Sequence, residues 1–133
     1  MATTYTVESV GRSSSVLIVT WGALAQGETG DPISVGYLTD ATVQIYGTFT
    51  TASIAIEGSN DTTSGTAQWD TLSEPDGTLI SGITSRDIAQ ILESPHKYRP
   101  SVTGGNGSTV LVVKLKLVSN GDIALNPSII KVL

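Results

Sequence analysis

The sequence predicts an all-β fold, a β-sandwich or jelly roll of about seven or eight strands with one short helix. Three observations predict it. Apolar and polar residues alternate over Thr42–Phe49 and Thr109–Val118, the period-two pattern that gives a half-buried strand one apolar and one wet face. Turn-forming clusters recur between such runs, at Gly27–Pro32, Ser59–Gly65, Glu74–Gly77, Gly104–Gly107 and Asn120–Asp122, built from residues that bond their own backbone or tolerate positive φ. Charged residues are only 14% of the chain, against about a quarter in an ordinary soluble domain. Ser and Thr take their place, and Thr is favoured on strands.

At 133 residues the chain is expected to be one domain, 1–133, burying roughly two-thirds of the surface its unfolded form exposes. It has 0 cysteines, so neither a disulfide nor a thiolate metal site is available, which fits a reducing compartment. The net charge is −5, with 7 basic residues scattered along the chain. No Lys/Arg cluster stands ready to neutralise phosphates, so no nucleic-acid partner is expected. No apolar run approaches the roughly 20 residues that span a bilayer, so no membrane partner is expected either. Met1–Tyr5 carries neither a basic nor a hydrophobic signal region, and the expected site of synthesis is the cytoplasm.

The elements follow in order. Tyr5–Val10 is polar and β-prone, and suits an N-terminal arm (1–10) or an edge strand. Ser15–Trp21 is apolar on both faces, the mark of a doubly covered strand or of one whose outer face meets another subunit. Residues 22–36 read as a long loop, a length that often carries function. Thr42–Phe49 and Ile54–Gly58 are expected to form a hairpin about Thr50–Ala52. Ala67–Leu72 is the next strand, and Thr78–Gly82 a short one after the Glu74–Gly77 turn. Thr84 or Ser85 is placed to cap a short helix over Arg86–Leu92, in which Ile88, Ile91 and Leu92 share a face and which Pro95 stops. Lys97–Thr103 resumes extended structure, with Pro100 suited to a strand end or edge. Gly104–Gly107 reads as a hairpin tip. Thr109–Val118 puts Leu111, Val113, Leu115 and Leu117 inward and Lys114 and Lys116 outward, where lysines discourage edge-to-edge pairing. Ile129–Leu133 is apolar enough to close a sheet or dock on a neighbour.

Groups able to carry chemistry are few. The one histidine, His96, lies in a loop entering a strand, and no Gly-x-Ser-x-Gly elbow accompanies it; a surface histidine is expected rather than a triad member. Asn60, Asp61 and Asp70 offer oxygen ligands, but their spacing does not match a calcium loop. Glu74 and Asp76 sit in a Pro-Gly turn where solvent keeps both ionised, unlike the raised-pKa acid of a glycosidase. Trp69, Tyr98 and Arg99 form a conceivable sugar platform, against which Trp69 reads as a core residue among apolar strand partners. With aromatics at 5%, stacking surface is scarce. The expectation is a protein that works by contact and is not an enzyme, with no catalytic residue, cofactor or metal.

Two segments carry a resemblance. One runs Gly47-Thr48-Phe49, Ile54-Ala55-Ile56-Glu57-Gly58-Ser59-Asn60-Asp61 and Trp69-Asp70-Thr71-Leu72; the other is Tyr98-Arg99-Pro100-Ser101-Val102-Thr103-Gly104-Gly105 before a long apolar strand. Over Thr42–Val118 this order resembles the β-sandwich cement or decoration proteins of tailed-bacteriophage capsids. A local similarity to discoidin-like, galactose-binding jelly rolls rests on the Ser-Asn-Asp turn and the tryptophan, from which no sugar-contacting residue carries over. The phage resemblance implies a virion structural protein at the capsid surface, self-associating, often as a homotrimer, and clamping major capsid subunits, with avidity summed over many copies. The alternative is a carbohydrate-binding jelly-roll module of a phage tail or fibre.

Overall fold

The computed structural model describes residues 3–10, 15–36, 38–63 and 65–118; the Asn120–Asp122 turn and the Ile129–Leu133 terminus lie outside the described residues. Nine strands and no helix occur among them: β1 (Tyr5–Val10), β2 (Val16–Leu24), β3 (Ile33–Ser34), β4 (Thr39–Thr48), β5 (Ser53–Ser59), β6 (Asp70–Thr71), β7 (Asp87–Gln90), β8 (Lys97–Thr103) and β9 (Val110–Val118). They form two antiparallel sheets, ordered β1-β2-β9-β4-β7 and β3-β8-β5-β6. The β-sandwich expected from the alternation is the fold observed.

Alternation decides which side chains meet between the sheets. Leu17, Val19 and Trp21 of β2, Val43 and Ile45 of β4, and Leu111, Val113, Leu115 and Leu117 of β9 are all buried. They face Ile54 and Ile56 of β5 and Tyr98 and Val102 of β8 across one core. The apolar run at Val16–Trp21 resolves accordingly: β2 is flanked by β1 and β9, its inner residues are buried, and Val16 and Ile18 are half-buried on the outer face. Among the described residues Tyr5–Val10 is an edge strand, with Tyr5 edge-on to Trp21 at 5.9 Å between ring centroids.

Several local expectations are corrected by the pairing. The helix over Arg86–Leu92 is absent; Asp87–Gln90 pairs with Thr42–Ile45 as the edge strand β7. A seven-residue helix is marginal in water, whereas the edge of β4 offers a row of backbone partners. The strand phase buries Ala89 and Ile91 and turns Ile88 and Leu92 to solvent, at 64% and 57% exposed. The expected hairpins at Thr50–Ala52 and Gly104–Gly107 are both passages between sheets, since β4 and β9 belong to one sheet and β5 and β8 to the other. A tight turn with Ala52 N donating to Phe49 O at 2.8 Å and Thr50 at φ 53° carries β4 over to β5. The apolar faces of β4 and β5 therefore meet across the core instead of side by side. β9 is central, so Lys114 and Lys116 stand mid-sheet, with Lys114 Nζ donating to Thr20 Oγ1 at 3.1 Å, and no edge there needs protection. Of Ala67–Leu72 only Asp70–Thr71 is strand, and Thr78–Gly82 contributes an isolated bridge from Leu79 to Ser73.

The long loop is shorter than expected and closely strapped. β2 runs to Leu24 and β3 occupies Ile33–Ser34. Between them Glu28 accepts from Ala25 N and Thr3 Oγ1, both at 2.7 Å, and its carbonyl accepts from Val102 N. Gly30 donates to the carbonyl of Pro100 at 2.9 Å and lies so close to the Trp21 indole that a Cβ would stand 2.6 Å from it. Pro100 is thus tolerated inside a sheet, because its backbone faces the side beyond the short β3, where only a carbonyl is used.

Candidate functional site

The outer face of the smaller sheet carries a cleft that the strand phase builds. In β8, Tyr98, Pro100 and Val102 point inward, which turns Lys97 and Arg99 outward. Register places Glu57 opposite Arg99 and Ser59 opposite Lys97 on β5, and Ser34 of β3 on the far side of Lys97. Arg99 Nε donates to Glu57 Oε1 at 2.8 Å, a cross-strand ion pair. Thr71 pairs with Glu57 on the other flank, so Trp69, two residues earlier, shares the outer face and folds over it. The Arg99 guanidinium carbon lies 4.1 Å from the Trp69 ring centroid and Lys97 Nζ 5.5 Å from it, both within cation–π range.

Trp69 is therefore half-buried and outside the core, which corrects the expectation of a core tryptophan; Trp21 fills that role, its Nε1 donating to Asp31 O at 2.9 Å. The structure unites two of the three residues of the conjectured sugar platform. Tyr98 is excluded, at 0% exposed, its hydroxyl buried without a hydrogen-bond partner among the described residues. Burial, then the nearby Glu93 charge, push its pKa up to about 12. Lys97 carries no signal of its own in the sequence beyond the alternation in Lys97–Thr103, which pairs it with Arg99 on one face. The cleft beside this cluster measures ≈ 340 Å³, with Pro32, Thr63 and Gly65 on its walls.

A second cleft, ≈ 430 Å³, gathers Asn60, Asp61, Asp70 and Glu93, bringing the three candidate calcium ligands together. Their oxygens largely serve the fold. Asn60 Oδ1 accepts from His96 N at 2.8 Å, and Asp61 accepts from Thr63 N at 2.8 Å and Gln68 N at 3.2 Å. The Thr63 amide chiefly, with its hydroxyl, holds the Asp61 carboxyl below its usual range. Partial burial works against ionising Glu93, but hydrogen bonds from Ser73 Oγ at 2.6 Å and Ser73 N at 2.8 Å outweigh it and lower its pKa. No cluster of three or more metal-type ligands forms among the described residues.

His96 packs by its ring against Gly36 and by its carbonyl to Val35 N at 2.9 Å; among the described residues no side chain hydrogen-bonds its imidazole. Asp76 takes the Thr78 amide at 2.9 Å, which lowers its pKa, the direction opposite to a general acid's need. The Glu74–Gly77 turn closes as expected, with Gly77 N on Glu74 O at 2.8 Å.

The outer face of the larger sheet is a second, flatter feature. Register lines up Val10, Val16, Val118 and Thr39 in one row, then Glu8, Ile18, Lys116, Thr42 and Gln90, then Thr6, Thr20, Lys114, Gln44 and Ile88. Neutral side chains dominate these rows. Ile18, Thr42, Gln44, Ile88, Lys114 and Lys116 border a depression of ≈ 170 Å³ in the middle.

No protein-family model matches the chain, and no curated protein matches it. Among solved structures, the SPBc2 prophage-derived protein YomS is similar in fold, with a TM-score of 0.60 at 20% sequence identity over 78% of this chain and 95% of that one.

Proposed function

We propose that this chain is a structural protein of a phage virion, one that self-associates and holds neighbouring capsid subunits by surface contact, without an enzymatic role. The observation that carries the reading is the outer face of the larger sheet. Three cross-strand rows there hold three charged residues, Glu8, Lys114 and Lys116, among valine, isoleucine, threonine and glutamine. Ile88, 64% exposed, stands at its rim. Neutral hydroxyls and amides cost less to desolvate than ions, and a low-charge, partly apolar face is what a contact interface favours. The prophage origin of YomS and the fold it shares agree with a phage setting, as does the resemblance to capsid cement proteins.

Light scattering during gel filtration, together with co-sedimentation on phage heads that lack the protein, tests the reading. The expected result is a defined oligomer at micromolar concentration that binds heads, and that Ile18→Glu converts to monomer. A chain that stays monomeric at high concentration and never joins heads would refute it.

A further inference from the structure

We propose that the Trp69–Lys97–Arg99 cleft is a binding site for a carboxylated sugar, a hexuronate-type unit whose ring packs beside the indole and whose carboxylate meets the two cations. Lys97 carries the argument furthest. It is 1% exposed, borders the cleft, and has no ion pair within 4.0 Å among the described residues. An ammonium this little exposed, with no carboxylate in direct contact, is costly to hold in the charged form. Its compensation is partial: the Trp69 ring at 5.5 Å, and the field of Asp61, whose oxygens are engaged by the Thr63 and Gln68 amides.

Arg99 is similarly incomplete. One of its five N–H donors, on Nε, meets Glu57, and its terminal nitrogens have no hydrogen-bond partner among the described residues. Its guanidinium carbon lies 4.1 Å from the Trp69 ring centroid while Nε is tied to Glu57, and a guanidinium restrained at both contacts presents the fork that recognises a carboxylate by two parallel bonds. Two cations therefore face one opening in a protein of net charge −5, which localises anion affinity at this point.

The rest of the cleft favours a sugar over an acidic peptide side chain. Its ≈ 340 Å³ lies at the lower end of small-ligand sites and accommodates a pyranose ring. The Trp69 indole lines the opening beside the two cations and gives it an aromatic wall. A glutamate side chain would satisfy the cations and leave that wall uncovered. The cleft is on the face of the sandwich opposite the proposed association surface, so failure of either proposal leaves the other standing.

The test is a titration of the full chain with methyl β-D-glucuronide, followed through the indole N–H resonances. The expected result is a saturable shift of the Trp69 signal while Trp21, held on Asp31, stays fixed. Methyl β-D-glucoside, which lacks the carboxylate, and N-acetylglutamate, which lacks the ring, should each bind at least about tenfold more weakly, the step one recognition element makes. Arg99→Gln, at a half-buried surface position, should weaken the glucuronide by a similar factor with Trp21 unmoved. Lys97→Met should do the same, and Arg99→Gln decides alone if that variant fails to fold. The proposal is overturned by no saturable shift at tens of millimolar glucuronide, by equal binding of the glucoside, by tighter or equal binding of N-acetylglutamate, or by an unaffected Arg99→Gln.

Discussion

Tyr98 concentrates the residue-scale energetics. Its ring fills the core and its hydroxyl is buried without a partner among the described residues, an arrangement that costs about 1–3 kcal/mol relative to a satisfied hydroxyl. Tyr98→Phe is therefore expected to raise stability by about 1 kcal/mol in urea unfolding. The same burial sets a pH dependence. The folded pKa, about 12, exceeds the ordinary 10.0, so the folded state holds the proton that the unfolded state releases. The Tyr98 contribution is complete below about pH 10 and is lost as pH climbs toward 12; Tyr98→Phe should flatten that slope, leaving the smaller contribution of Tyr5, which is raised in the same direction. Glu93 works at the opposite end. Its lowered pKa stabilises the fold above the ordinary 4.5, and that contribution fades as pH drops through the folded value. Glu93→Gln should cost about 1 kcal/mol at neutral pH and remove part of the acid sensitivity, which unfolding midpoints at pH 3 and pH 7 would reveal.

At the scale of elements, β7 and β4 make the sharpest predictions. The strand phase buries Ile91 at 4% and exposes Ile88 at 64%, whereas a helix would have put both on one face. Ile91→Ala is expected to cost about 2–4 kcal/mol and Ile88→Thr less than about 0.5 kcal/mol. Equal losses in denaturant midpoint would contradict the strand. Gly47 in β4 stands at φ 124°, and a Cβ there would run into the Val110 carbonyl oxygen of the adjacent β9. Gly47→Val, combining a strained backbone with a collision against a central strand, should cost about 2–3 kcal/mol and lower the melting temperature accordingly.

The whole molecule is a sandwich with two unlike outer faces, one broad and nearly neutral, the other bearing a small cationic cleft. Salt should separate them. Contact through a largely neutral face is expected to change less than about twofold between 0.1 M and 1 M NaCl, because screening acts on charges and apolar burial does not weaken. Glucuronide affinity at the cleft should fall several-fold over the same range. Sedimentation equilibrium and the indole titration, each run at both salt concentrations, measure the two effects.

What the sequence determined by itself was the class of fold and most of the core. Period two over Thr42–Phe49 and Thr109–Val118 announces inner and outer faces, and those faces are the ones observed, because alternation is a property of the extended backbone alone. The Glu74–Gly77 turn was legible for the same reason: its geometry closes within four residues. Which strands lie side by side was not legible. Thr50–Ala52 and Gly104–Gly107 read as hairpin tips, yet both lead from one sheet to the other, since a turn's residues do not specify whether the partner strand waits beside it or across the core. Arg86–Leu92 suited a helix until the open edge of β4 offered hydrogen bonds that a short helix cannot match. The Trp69 cleft was half legible, as Trp69 and Arg99 were singled out and Lys97 was not. Only the register, which sets Trp69 on the outer side with Thr71 and brings it over β8, decided that an indole and two cations converge there and that Tyr98 does not join them.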